Sequence, residues 1–157
     1  MRKIIEDKAM KLLLGCDHAG FALKAFLKDE LEAQGYTIVD VGCNAETDKV
    51  DYPNISAKIA EAMKAQGIEK AIITCGSGVG VAIAANRFQW VRAVHAHDAY
   101  LAQLSREHND SNVLTMGGRF VAPAYALQIA QQWLGGTFEG ERHAHRVGLL
   151  GTVGQNP

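Results

Sequence analysis

The chain of 157 residues has no CxxC pair, no block of like charge, few prolines and no long apolar run. Each shortage removes a class of function. Cys16, Cys43 and Cys75 are odd in number and widely spaced, so they read as free thiols and point neither to a disulfide framework nor to a zinc site. Lys and Arg total 16 against 17 Asp plus Glu, a formal net charge of −1, and they are scattered. That argues against a nucleic-acid binder that works by neutralising phosphates. Runs such as Leu12 to Leu14 fall far short of the roughly 20 apolar residues a membrane helix needs. The N-terminus is too charged for a signal peptide, so a cytoplasmic protein is expected. No internal repeat or long linker interrupts the chain.

What is present is 48% hydrophobic residues in a length suited to one domain. A chain of this size buries roughly 70% of its unfolded surface, enough for a core without staples. Residues 1–9 carry mixed charge without a period and read as an N-terminal extension to a domain over 10–157. From Met10 onward, short apolar runs alternate with helix-period segments. Strands are expected near Lys11 to Gly15, Thr37 to Val41, Ala71 to Thr74, Val91 to His95 and Val113 to Met116.

Pro53 opens a helix with Ile55, Ile59 and Met63 on one face, and Gly67 closes it. Asp98 is a candidate N-cap for the helix through Leu101 and Leu104. Pro123 opens another, ended by Gly135 and Gly136, and a last short helix spans Glu141 to Leu150. Strands alternating with helices predict a single-domain, doubly wound, Rossmann-like α/β three-layer sandwich on a five-stranded parallel sheet. Such sheets bind ligands beyond the carboxyl ends of their strands.

Four polar segments are expected there, forming one pocket. Gly15-Cys16-Asp17-His18-Ala19-Gly20 follows the first strand. Asp17 there is either a helix cap or a catalytic carboxylate, and His18 suits an anionic ligand at a helix start. Thr74-Cys75-Gly76-Ser77-Gly78-Val79-Gly80-Val81 follows the third. Glycines at alternate positions turn backbone N–H groups toward an anion, and oriented amides favour the thiolate form of Cys75. The bland alternative for Cys75 is a small buried hydrophobe. Gly76 and Gly78 also spell GxG with Asp98 some 20 residues on, as in a dinucleotide site; Val81 in place of the third small residue weakens that reading.

Arg106 to Asn112 is dense in hydrogen-bonding groups, and His108 is placed for proton transfer near neutral pH. Arg142 and Arg146, four apart, present two guanidinium groups suited to a phosphate or, alternatively, a solvated basic face. The HxH pairs His95/His97 and His143/His145 lack an acidic or thiol partner at ligand spacing, so no metal or other cofactor is expected.

Taken together, GCDHAG at 15–20, DYP at 51–53, CGSGVG at 75–80, AAN at 84–86, SREHNDSNVL at 105–114 and GERHAHRV at 140–147 resemble the ribose-5-phosphate isomerase type B family. That family also includes the galactose-6-phosphate isomerase subunits. The resemblance runs from Met10 to about Leu150. It implies metal-free aldose–ketose isomerisation of a phosphorylated sugar through a cis-enediol. By the same resemblance Cys75 is the base, while the Gly76, Gly78, Val79 and Gly80 loop amides and the Ser77 hydroxyl stabilise the enediolate.

Asp17 manages the hydroxyl proton, His108 opens the furanose ring, Asn109 bonds sugar oxygens and Tyr52 lies over the substrate. His18, Arg119, Arg142 and Arg146 hold the phosphate. One branch of the family uses a glutamate base where this chain has Val81, which points to the cysteine branch. That branch usually carries threonine at Ser77, so a tuning effect is expected. The resemblance further implies homodimers or pairs of dimers, with the His108 and arginine segments reaching the neighbour's loop. Ribose 5-phosphate is the expected substrate. The rivals are allose 6-phosphate, galactose 6-phosphate, a four-carbon phosphate, or a sugar-phosphate-binding module without turnover.

Overall fold

The computed structural model describes residues 10–154; the extension at 1–9 lies outside them. Five parallel strands form one sheet: β1 (Lys11–Cys16), β2 (Thr37–Asp40), β3 (Ala71–Cys75), β4 (Ala93–His95) and β5 (Val113–Gly117), in the order β2-β1-β3-β5-β4. Each lies within two residues of its expected position. The helices are α1 (Phe21–Ala33), α2 (Tyr52–Gln66), α3 (Val79–Ala85), α4 (Ala99–Asn109), α5 (Pro123–Gly135) and α6 (Arg142–Leu150). The expected α/β three-layer sandwich is the observed fold.

Both faces of the sheet are covered because side chains alternate along each buried strand. Leu12 and Leu14 of β1, Ile72 of β3, and Leu114 and Met116 of β5 join Leu23, Leu27, Leu31, Ala102, Ile129 and Trp133 in the layer of α1, α4 and α5. Leu13, Ile73 and Cys75 point the other way, toward Ile55, Ile59 and Met63 of α2 and Val81 of α3. The period of two thus sends the Cys75 side chain to the α2/α3 side.

Local chemistry sets the helix ends. Gly67 adopts φ 63°, the left-handed conformation that ends α2, and its N–H donates to Met63 O. Asp98 accepts from Leu101 N–H at 2.9 Å, as its capping position predicts. After α4, much of the polar run at 106–112 is structural. Trp133 is fully buried, and its Nε1–H donates to Ser111 Oγ at 2.8 Å. Arg106 and Arg92 both reach Asp110 at 2.9 Å, and Asn112 Oδ1 accepts the Arg92 N–H at 2.7 Å.

β1 and β3 are the switch point. Their strand order departs in opposite directions, and their following segments cross to opposite faces, α1 on one and α3 on the other. A crevice is left beyond their carboxyl ends, the usual ligand position in open α/β sheets. Trp133→Ala is expected to cost about 3–5 kcal/mol, read from urea unfolding, because it removes the largest fully buried side chain and one of the two hydrogen-bond partners of the Ser111 hydroxyl.

Candidate active site

The crevice holds a cavity of about 310 Å³ lined by Asp17, His18, Ala19, Tyr52, Cys75, Gly76, Ser77, Gly80 and Arg119. Four chain segments far apart in sequence meet there. β1 delivers Asp17 and His18 through a single 3-10 turn, His18–Gly20. Asp17 is indeed the cap of that turn: Oδ1 accepts from Ala19 N–H at 2.9 Å and Gly20 N–H at 3.0 Å. The same carboxylate lines the cavity. His18 Nδ1 is buried and has no hydrogen-bond partner among the described residues. A buried polar atom left without a partner costs free energy, and the residue itself lines the cavity.

β3 ends on Cys75. Its side chain is largely covered, and the Gly78 N–H donates to Sγ at 3.0 Å. That bond requires the chain to turn back on itself. Gly78 does so at φ 82°, where a Cβ would lie 2.7 Å from both His95 Nδ1 and the Met116 carbonyl carbon. Thr115 Oγ1 holds the turn from below by donating to Gly78 O at 2.7 Å. Gly80 is needed for close approach, since a Cβ there would meet the Tyr52 ring at 2.8 Å.

Ser77 Oγ accepts the Val79 N–H at 3.2 Å, and Val79 itself is exposed. The Val79 side chain turns to a neighbouring apolar groove of about 480 Å³, shared with His95, His97, Phe120 and Tyr125. Arg119 enters from the turn after β5, fixed by its N–H to Gly76 O at 3.1 Å.

All three cysteines are free and buried. Cys16 lies 3.4 Å from Cys43 sulfur to sulfur, and burial pushes its thiol up to about 12, which leaves it protonated and inert. Of the three, Cys75 alone opens on the crevice.

Within the single chain, the four polar segments expected to form one pocket do not all meet. His108 and Asn109 end α4, and a helix returning from β4 finishes at the opposite edge of the sheet from Cys75. Cys75 pairs with Gly117 at the far end of β5, whereas Asn109 precedes Val113 at its start. That strand alone separates the two groups by roughly 13 Å along the sheet. Arg142 and Arg146 begin α6, which packs on α4, so they belong with His108. Asn109 lines a separate cavity of about 850 Å³ between α6 and the β4 edge, with Arg92, Ser105 and Val147.

The expectation about HxH pairs also needs correcting at His143. His143 is buried and stacks on His108 at 4.4 Å between ring centroids, with Glu139 Oε2 3.5 Å from His143 Nε2 and 3.8 Å from His108 Nε2. Burial, then the neighbouring His108 and Arg142 charges, hold His143 below the usual histidine range. Glu139 stands four residues before His143, a spacing visible in the sequence; its nearness to His108 was not. His95 was also missed as a support of the Gly78 turn. Its ring is likewise held low by burial.

Known proteins resemble this chain over most of its length. Residues 12–150 match the model of the Ribose/Galactose Isomerase family. The chain is 41% identical to ribose-5-phosphate isomerase B of Escherichia coli strain K12 over 145 residues, covering 92% of this chain and 97% of the relative. It is 40% identical to D-erythrulose-4-phosphate isomerase 2 of Mycolicibacterium smegmatis, covering 83% and 88%. The solved ribose-5-phosphate isomerase B of Clostridium thermocellum superposes with a TM-score of 0.89 at 42% identity, covering 92% and 97%. The chain belongs to the Ribose/Galactose Isomerase family and is a sugar-phosphate aldose–ketose isomerase.

Proposed function

We propose that this protein interconverts ribose 5-phosphate and ribulose 5-phosphate through a cis-enediol(ate), with Cys75 as the base, and that each site is built from two copies of the chain. The observation that carries the proposal is the Cys75 sulfur, held by the Gly78 N–H at 3.0 Å in a cavity that Asp17 and His18 also line. In the forward direction Cys75 takes the proton from the second carbon and returns it to the first. The Ser77 hydroxyl and the loop amides over Gly76 to Gly80 hold the oxygen on which charge develops, the Gly78 and Val79 N–H groups turning to it from Cys75 Sγ and Ser77 Oγ. Asp17 uses Oδ1 for both cap bonds, leaving Oδ2 to carry the hydroxyl proton between oxygens. Tyr52 closes over the sugar, and His18 and Arg119 take the phosphate.

The rest comes from a second copy. His108 opens the furanose ring, Asn109 bonds the sugar oxygens, and Arg142 and Arg146 complete the phosphate clamp. Support lies in the separation of these groups from Cys75 within one chain, and in the apolar rim beside the loop. Val79, Ile83, Tyr100 and Phe120 are 47%, 62%, 66% and 78% exposed, a surface suited to burial against a copy of itself. The domain over 10–157 then carries one half of each of two symmetric sites. Among the described residues no helix is long and apolar enough to cross a membrane.

A second substrate is favoured by one observation. The relative at 40% identity from Mycolicibacterium smegmatis is named for D-erythrulose 4-phosphate, so a four-carbon phosphate is the alternative. Proton NMR in D2O with a chelator present tests both. Ketose formation with deuterium entering the second carbon of ribose 5-phosphate is expected. Inert ribose 5-phosphate beside active erythrulose 4-phosphate would transfer the assignment to the four-carbon substrate, and inert sugar phosphates of every length would leave a binding module.

Cys75→Ala is expected to lower kcat by about 10²–10⁴-fold with little change in inhibition by inorganic phosphate, because the thiol acts on the carbons and not on the anchor. Near-wild-type turnover in that variant would remove Cys75 from the mechanism. Arg142→Ala and Arg146→Ala are expected chiefly to raise KM; unchanged kinetics in both would make α6 an ordinary solvated helix.

A further inference from the structure

Among the described residues, one group of three or more metal-ligating side chains converges: His108, Glu139 and His143, whose donor atoms all lie within 4.8 Å of one another. The backbone assembles them. His108 sits in the last turn of α4 and His143 in the first turn of α6. Glu139 lies in the intervening connection, tied to α4 by its N–H donating to Glu107 O at 3.0 Å. His143 is 7% exposed, so one donor is already withdrawn from water.

Two imidazoles and one carboxylate are a borderline-soft donor set, suited to zinc and its first-row neighbours and unsuited to magnesium or calcium. With bonds of 2.0–2.1 Å, tetrahedral donors stand about 3.3 Å apart, so side-chain rotation has to draw the widest pair in by about 1.5 Å. The rings, 9° from parallel, must turn out of their stack to aim both lone pairs at one point. Arg142 Nε, which donates to His143 Nε2 at 3.4 Å, must move away. Its charge and that of Arg146 oppose a cation, and Glu139 offsets them in part.

We propose that His108, Glu139 and His143 bind one zinc-class divalent cation, and that this cation inhibits the isomerase by occupying the imidazole that opens the sugar ring. The binding stands on this geometry alone; the inhibition rests on the role given to His108 above. A bound cation ties α4 to α6 and displaces Arg142, so it competes with the sugar phosphate at two points. The cation takes no part in isomerisation.

The test uses the untagged full-length protein, stripped with chelator. Zn²⁺ is titrated by calorimetry and Co²⁺ by visible absorption. One equivalent per chain is expected, with a cobalt spectrum free of sulfur-to-metal charge transfer. Glu139→Gln and His143→Gln should each weaken binding by about tenfold or more, while Cys75→Ala and His97→Gln leave it unchanged. In turnover, Zn²⁺ should inhibit the wild type reversibly, and Glu139→Gln should keep its basal rate while needing about tenfold more Zn²⁺ for half-inhibition.

Absence of stoichiometric binding overturns the proposal. So does binding that vanishes in Cys75→Ala with a sulfur charge-transfer band, or equal zinc sensitivity in wild type and Glu139→Gln. Cobalt binding that depends on Glu139 in a protein inert toward sugar phosphates would keep the metal site and defeat the isomerase reading. Turnover in chelator without cobalt binding would do the reverse.

Discussion

The reacting centre depends on a handful of hydrogen bonds that lock the ends of β1, β3 and β5 together. Asp17 N–H donates to Thr74 O at 3.2 Å, and Thr74 Oγ1 donates to Gly20 O at 2.8 Å. Gly118 N–H donates to Cys75 O at 2.8 Å, and Thr115 Oγ1 to Gly78 O at 2.7 Å. Each is a backbone group leaving a parallel strand, where the ladder can no longer satisfy it. Satisfying them sideways fixes the cap carboxylate, the thiol and the Arg119 turn relative to one another. A site made this way is placed by the sheet and owes little to loop flexibility. That suits a reaction in which a proton moves between adjacent carbons of a held substrate.

One residue type is put to different uses by position. Cys16 and Cys75 both end strands in the same sheet, one place past the expected strand boundary. Cys16 is enclosed with Cys43 and the Lys24 amine, which donates to Cys43 O, so burial keeps it a thiol. Cys75 ends its strand at the crevice, with a glycine turn behind it to bring an N–H to its sulfur. Composition alone gives three equivalent free thiols.

Most of the fold was legible because it rests on local rules. The apolar run at Lys11 to Gly15, the Gly67 stop, the Asp98 cap and the Pro123 start each act over a few residues, and each was observed. The loop at 75–80 was legible for the same reason. Strand order was not, since nothing local says that β5 inserts between β3 and β4. The misplaced half of the site follows from that kind of gap. His108 looked like a strand-end residue because it stands near a strand, but it stands before β5, at the edge from which the strand departs. The Glu139 contact to His108 was hidden likewise, since it depends on how a connection folds back over α4. The proposal that the two halves meet across a pair of chains rests on family resemblance, which supplies what local rules could not.

That division is the central claim, and mixed dimers test it most directly. One chain carries Cys75→Ala; the other carries Arg142→Ala with Arg146→Ala; the pair is co-expressed and selected through two different tags. If each site takes Cys75 from one copy and the arginines from the other, the heterodimer holds one doubly impaired site and one intact site. Assayed at substrate well below the KM of the arginine variant, two impaired parents should then yield about half of wild-type turnover per dimer. Turnover no higher than that of the parents would contradict the account and confine the whole site to a single chain.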